Sequence, residues 1–166
     1  MDIFSFLETT AEISITFAGF TSLFFVLAKR DASLAPEVAV LIRFILLGSI
    51  GSLFLAALPL ILAGLGATDS FLWRVSSGSA LAANVGMAFF AASQRQGLID
   101  REVTPFVRIA WVVATLGLLT SLSNIVGWPL PPNGGVHLAA IWLTLAISSV
   151  NLIDLVFRWA LKEPRA

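Results

Sequence analysis

The 166-residue chain is 58% hydrophobic and only 12% charged, a balance that excludes a water-soluble domain of this size and makes lipid its natural solvent. Ten Lys/Arg offset ten Asp/Glu, so no net field exists to recruit nucleic acid or an acidic substrate, and nucleic-acid binding is not expected. The absence of cysteine removes disulfides, thiolate nucleophiles, iron–sulfur clusters and the usual zinc sites.

A hydrocarbon core of roughly 30 Å needs about 20 helical residues to cross it. Charge clusters and Pro/Gly punctuation divide the chain into five stretches of that length, at about 9–28, 38–64, 72–94, 106–128 and 136–158. The expected fold is therefore all-α, a single integral membrane bundle of five transmembrane helices spanning residues 1–166. No repeat at a solenoid period and no duplication between halves is visible, and an odd helix number argues against an inverted-repeat transporter.

The first stretch opens with Met1-Asp2 and carries Glu8 and Glu12 before its first base, Lys29. That is the wrong charge pattern for a secretory signal peptide, so the helix is expected to stay in the mature protein. Its amphipathic start, Ile3-Phe4-Ser5-Phe6-Leu7, reads as a segment able to lie along the membrane interface. Glu8, Glu12, Thr16 and Gly19 recur at spacings of four, four and three, which gathers them on one face, with Phe17, Phe20 and Phe24 on another. Glu12 can line a pore or bind a cation or proton; the plainer alternative is a pairing with Arg74 or a position in water.

The second stretch contains Pro59 and runs long, which predicts a kink or tilt. The third carries Asn84 in mid-span and the fourth Asn124 with Ser121 and Ser123. These amides are expected to bond between helices, and they are also candidates for a hydrated path. Gly78, Ala82 and Gly86 on the third stretch, and Ala110/Ala114 and Gly117/Ser121 on the fourth, are patterns that let backbones approach closely. On the fifth, Thr144, Ser148, Asn151 and Arg158 lie near one stripe, and Asp154 stands four residues before Arg158, the spacing of a local ion pair. Arg43 and Arg108 enter from the same side and can join Asp154 in a network or reach lipid phosphates. His137, the only histidine, falls at the start of the fifth stretch, where a solvated interfacial position is expected.

Nine of the ten bases fall on one side of the expected membrane: Lys29, Arg30, Arg43, Arg95, Arg101, Arg108, Arg158, Lys162 and Arg165, against Arg74 alone on the other. Positive residues are retained in the cytoplasm, so the N-terminus is expected outside and the C-terminus inside. Trp73 and Trp128 at outer ends, and Trp111 and Trp159 towards inner ones, match rings that prefer the headgroup region.

The run Ala11-Glu12-Ile13-Ser14-Ile15-Thr16-Phe17-Ala18-Gly19-Phe20, with Lys29-Arg30, Leu58-Pro59 and Phe71-Leu72-Trp73-Arg74, resembles small uncharacterised bacterial inner-membrane proteins that begin with a similar helix. The resemblance covers mainly the first half. It implies a multi-pass protein of a bacterial inner membrane and an importance for the Glu12 helix, and nothing about substrate.

No catalytic triad, Gly-rich phosphate loop or paired-histidine motif is present, so no enzyme, metal or cofactor is expected. Two readings remain open. One is a homo-oligomeric channel or small-solute or ion conduit using the polar face of the first helix. The other is a structural or regulatory accessory subunit of a larger membrane complex, with lipid and a partner membrane protein as its surroundings.

Overall fold

The computed structural model describes the backbone of residues 2–31, 36–95 and 105–160, with side chains for 2–26, 38–93 and 105–157. Five helices follow one another: α1 (Ile3–Asp31), α2 (Pro36–Gly64), α3 (Asp69–Arg95), α4 (Pro105–Val126) and α5 (Gly134–Ala160). Each contains a segment long and apolar enough to cross a membrane, and no strand occurs among the described residues. The protein is a multi-pass helical membrane bundle.

α1 begins earlier than the charge pattern suggests. The Asp2 side chain accepts the backbone N–H of Phe4 at 3.0 Å, which caps the helix at its first turn. The segment 3–7 does not lie apart along an interface. It is the first turn of a continuous helix, and Leu7 is fully buried in the core. Burial of Ile3, Phe4 and Leu7 against α2, α3 and α5 is what draws the segment in. α2 runs unbroken through Pro59, whose ring is also buried.

α2, α3, α4 and α5 pack in chain order into a closed ring, with α5 returning onto α2 and α3 touching α5 across the middle. α1 stands outside this ring, mainly against α2 with a smaller contact to α5. The end at which α1 begins is called the near end below, and the opposite one the far end. A near-end apolar cluster joins Leu7, Leu55, Ala56, Leu72, Trp73, Ala80 and Ile141. At the far end Ile42, Ile45 and Leu155 pack with Phe24, Phe25 and Leu152. Between the two clusters the buried positions include many polar ones, among them Ser14, Ser49, Ser52, Asn84, Thr144 and Ser148.

Small residues set the closest approaches. On α1 the buried face reads Leu7, Thr10, Ser14 and Thr21, and the three hydroxyls donate to carbonyls of their own helix four residues earlier, at 2.7 Å each. Satisfied in this way, they pack on α2 as small side chains. Gly48 of α2 faces Ser148 of α5 so closely that a Cβ at 48 would run into the Ser148 hydroxyl. Gly117 sits 3.7 Å from the Leu143 Cβ by the same measure, so the Gly117/Ser121 pattern does serve packing. The Gly78/Ala82/Gly86 stripe makes no such approach within the chain. A Cβ at 78 or 86 would meet nothing within 4 Å, and Ala82 and Gly86 are exposed. α3 turns Leu72 and Trp73 inward instead, large side chains that fill core volume, with Ala80 buried beside them.

Two helices end on glycines with positive φ. Gly66 (φ 79°) closes α2 in a Schellman arrangement, with Gly66 N–H on Ala63 O and Ala67 N–H on Leu62 O, both at 3.0 Å. Gly127 (φ 77°) closes α4 on Ser123 O, at 2.8 Å. Gly66→Ala is expected to destabilise the bundle by about 1 kcal/mol through backbone strain alone. Gly127→Ala should cost more, because its Cβ would also press to 3.2 Å of Pro132 Cδ. Thermal unfolding in detergent, followed by circular dichroism, ranks the two; equal shifts would contradict the argument.

Candidate functional site

Two polar features survive folding: a buried lock at the near end and an outward-facing stripe on α1. The lock starts from a consequence of Pro59. Proline has no N–H, so the carbonyl four residues earlier, Leu55 O, loses its ordinary helical partner. At membrane depth another donor must replace it. His137 does so, with Nε2 at 3.1 Å from Leu55 O. Since a carbonyl only accepts, Nε2 carries the proton and Nδ1 is left as the acceptor. The Ser77 hydroxyl lies 3.4 Å from Nδ1 and donates to it. The Ser77 oxygen in turn accepts Asn124 Nδ2 at 2.7 Å.

Asn124 ties this chain to the connection before α5. Its Nδ2 donates to Asn133 O at 3.1 Å, and its Oδ1 accepts the Asn133 backbone N–H at 2.9 Å, a reciprocal pairing that fixes the loop. Asn133 also caps α5, its Oδ1 accepting Val136 N–H at 3.0 Å. The lock therefore joins α2, α3, α4 and α5 through Leu55, Ser77, Asn124 and His137. His137 and Ser77 are fully buried and Asn124 nearly so. The Trp73 ring lies beside the imidazole, with centroids 6.1 Å apart, and stacks on Phe4 on its other flank.

His137 is thus not a solvated interfacial residue. The unsatisfied Leu55 carbonyl and the Ser77 hydroxyl give its ring two polar partners inside the bundle, which makes burial favourable. Trp73, near the start of α3, is packed among the helices, whereas Trp128 is 75% exposed. Asn84 bonds between helices as the sequence suggests: its Oδ1 accepts the Thr144 hydroxyl at 3.3 Å, while its Nδ2 donates to Ala80 O at 2.9 Å within α3.

The stripe on α1 looks away from the ring. Ser5, Glu8, Thr9, Glu12, Thr16 and Gly19 are all exposed, and Thr9 and Thr16 turn their hydroxyls back to Ser5 O and Glu12 O. Beyond Gly19 the same face becomes apolar with Leu23. Glu12 and Arg74 form no ion pair among the described residues. Arg74 follows Trp73, which stacks on Phe4, whereas Glu12 lies eight residues further along α1, about 12 Å deeper.

At the far end Asp154 is buried and engaged in an interaction inside the structure, while Arg43 and Arg108 are exposed. The side chains of Lys29, Arg30, Arg95, Arg101, Arg158, Trp159, Lys162 and Arg165 lie outside the described residues, and with them the Asp154–Arg158 pairing. No cluster of three metal-ligating side chains occurs among the described residues. Sequence reasoning missed Ser77 and Asn133 as partners; in the sequence Pro59 reads only as a kink, whereas the carbonyl it frees at Leu55 is the signal that could have found the missing donor. Comparison with family models, with curated proteins and with solved structures finds no match to this chain.

Proposed function

We propose that the protein is a non-enzymatic subunit of a homo-oligomeric conduit for ions or small solutes in a bacterial inner membrane, with its N-terminus outside and its C-terminus in the cytoplasm. The path runs between subunits, along the outward stripe of α1. Glu12 is the observation that carries this reading. It is exposed on the flank of the bundle, nine residues into α1 from Ile3 and about 14 Å from the start of that helix. A carboxylate facing hydrocarbon at that depth costs about 2.5–3.5 kcal/mol on insertion scales, and the cost is relieved when a neighbouring subunit encloses it in a hydrated path. The four-residue rhythm of Glu8, Glu12 and Thr16 supplies a line of oxygen ligands suited to a cation.

Cation flux into proteoliposomes should fall by about tenfold on Glu12→Gln, equivalent to about 1.4 kcal/mol on the barrier. Mass measurement of the intact assembly from native membranes should give a multiple of the subunit. A single copy bound to an unrelated membrane protein, with no flux, would instead establish the accessory-subunit reading, in which that protein covers the same stripe.

A further inference from the structure

Four serine hydroxyls inside the bundle have no hydrogen-bond partner: Ser52, Ser76, Ser121 and Ser148. All four residues are fully buried, and one comes from each helix of the ring, α2, α3, α4 and α5 in turn. Their behaviour differs from that of Thr10, Ser14, Thr21 and Ser49, which satisfy themselves on carbonyls of their own helices. A buried hydroxyl surrounded by protein and lipid is unfavourable unless something bonds it, and water is the usual remedy at a polar site between helices.

The heights of these groups along the bundle follow from the helical rise of about 1.5 Å per residue. The inner face of α5 presents His137, Thr144, Ser148 and Asp154, all buried. From the first to the last is about 26 Å, most of the roughly 30 Å hydrocarbon core. Ser77 and Asn84 hold the same levels on α3 through their bonds to His137 and Thr144. Ser52 and Ser121 lie three residues towards the far end from Leu55 and Asn124, which sets them about 5 Å below the lock and between it and Thr144. Below Thr144 come Ser148, the half-buried Asn151 and Asp154, in steps of about 5–6 Å, or two water diameters.

We propose that the core of the four-helix ring holds a file of water bound by these hydroxyls, and that this file carries protons along the inner face of α5 within each subunit. At every step a water or hydroxyl accepts a proton from the neighbour on one side and releases another to the neighbour on the other. One proton enters and one leaves, with no oxidant or co-substrate. The path is separate from the α1 stripe. Its narrowest point is the level of Thr144, whose hydroxyl bonds Ala140 O at 3.1 Å and Asn84 Oδ1 at 3.3 Å and there serves to hold the water that relays the proton past it.

The test uses the full chain in proteoliposomes holding the pH dye pyranine, with a potassium diffusion potential imposed by valinomycin. The wild type should acidify the lumen faster than protein-free liposomes. Asn84→Leu and Ser148→Val should each slow that flux by about tenfold or more, and Leu119→Ala, on the exposed flank of α4, should leave it unchanged. Thermal midpoints of the same preparations establish that the variants are folded; if Asn84→Leu does not insert, Thr144→Val removes the same link with little change in volume. Wild-type flux equal to that of empty liposomes overturns the proposal, as does wild-type flux in Ser148→Val and Thr144→Val. Proton flux lost in Glu12→Gln but kept in Ser148→Val overturns it too, and leaves the inter-subunit conduit standing.

Discussion

Replacing His137 with leucine is expected to destabilise the bundle by about 2–3 kcal/mol. The substitution leaves Leu55 O with neither a helical nor an interhelical donor, and it strands the Ser77 hydroxyl at a fully buried position. Pro59 offers a sharper version of the experiment. In a Pro59→Ala background residue 59 regains an N–H, and that N–H can bond Leu55 O within the helix. The loss from His137→Leu should then shrink by about 1 kcal/mol, while the packing lost with the proline ring cancels from the double-mutant cycle. Reversible unfolding in mixed micelles, followed by tryptophan fluorescence, reads all four corners. A cycle with zero coupling would mean that the histidine does not serve the carbonyl freed by the proline.

Gly134→Val should be at least as damaging, at about 3 kcal/mol or more. A Cβ at this position would come within 2.7 Å of Ile3 Cγ1 and of Trp73 Cη2, and within 2.8 Å of Trp73 Cζ2. The indole has little freedom to yield, since Phe4 stacks on it at 6.2 Å and the imidazole of His137 lies on another side. The start of α1 would have to move away from the ring to make room. Gly86→Ala is the matched control: its new methyl meets nothing within 4 Å, so the gain in helix propensity should leave stability equal or raised by about 0.5–1 kcal/mol. If both variants melt together with the wild type, the near-end contact between α1, α3 and α5 is not the one described.

The five helices are legible in the sequence because lipid leaves the backbone few alternatives. Their ends shift by a few residues for local reasons, such as the Asp2 cap that lets α1 start at Ile3. The faces are harder to read. α1 is polar on two sides: the Glu8/Glu12/Thr16 rhythm stands out because it is charged, whereas Leu7, Thr10, Ser14 and Thr21, which face the bundle, look unremarkable until their hydroxyls are seen bonded to their own helix. Small-residue spacing misleads on α3 and holds on α4, since nothing local says whether a glycine stripe points at protein or lipid. His137 shows the same limit. Its partners are 60 and 82 residues away in sequence, and only the rule that an intramembrane proline frees a carbonyl hints that a donor is needed.

The ring also imposes an order on biogenesis. α1 precedes α2 in the chain, yet its neighbours are α2 and α5, and α2 closes the ring only on α5, three helices further along. Until that span is made, Leu55 O, Ser77 and Asn124 lack His137 and Asn133, both of which follow α4 in the chain. Synthesis in chain order therefore supplies these partners only after α1 to α4, and the Pro-rich connection with α5 is what ties α2, α3 and α4 together at the near end.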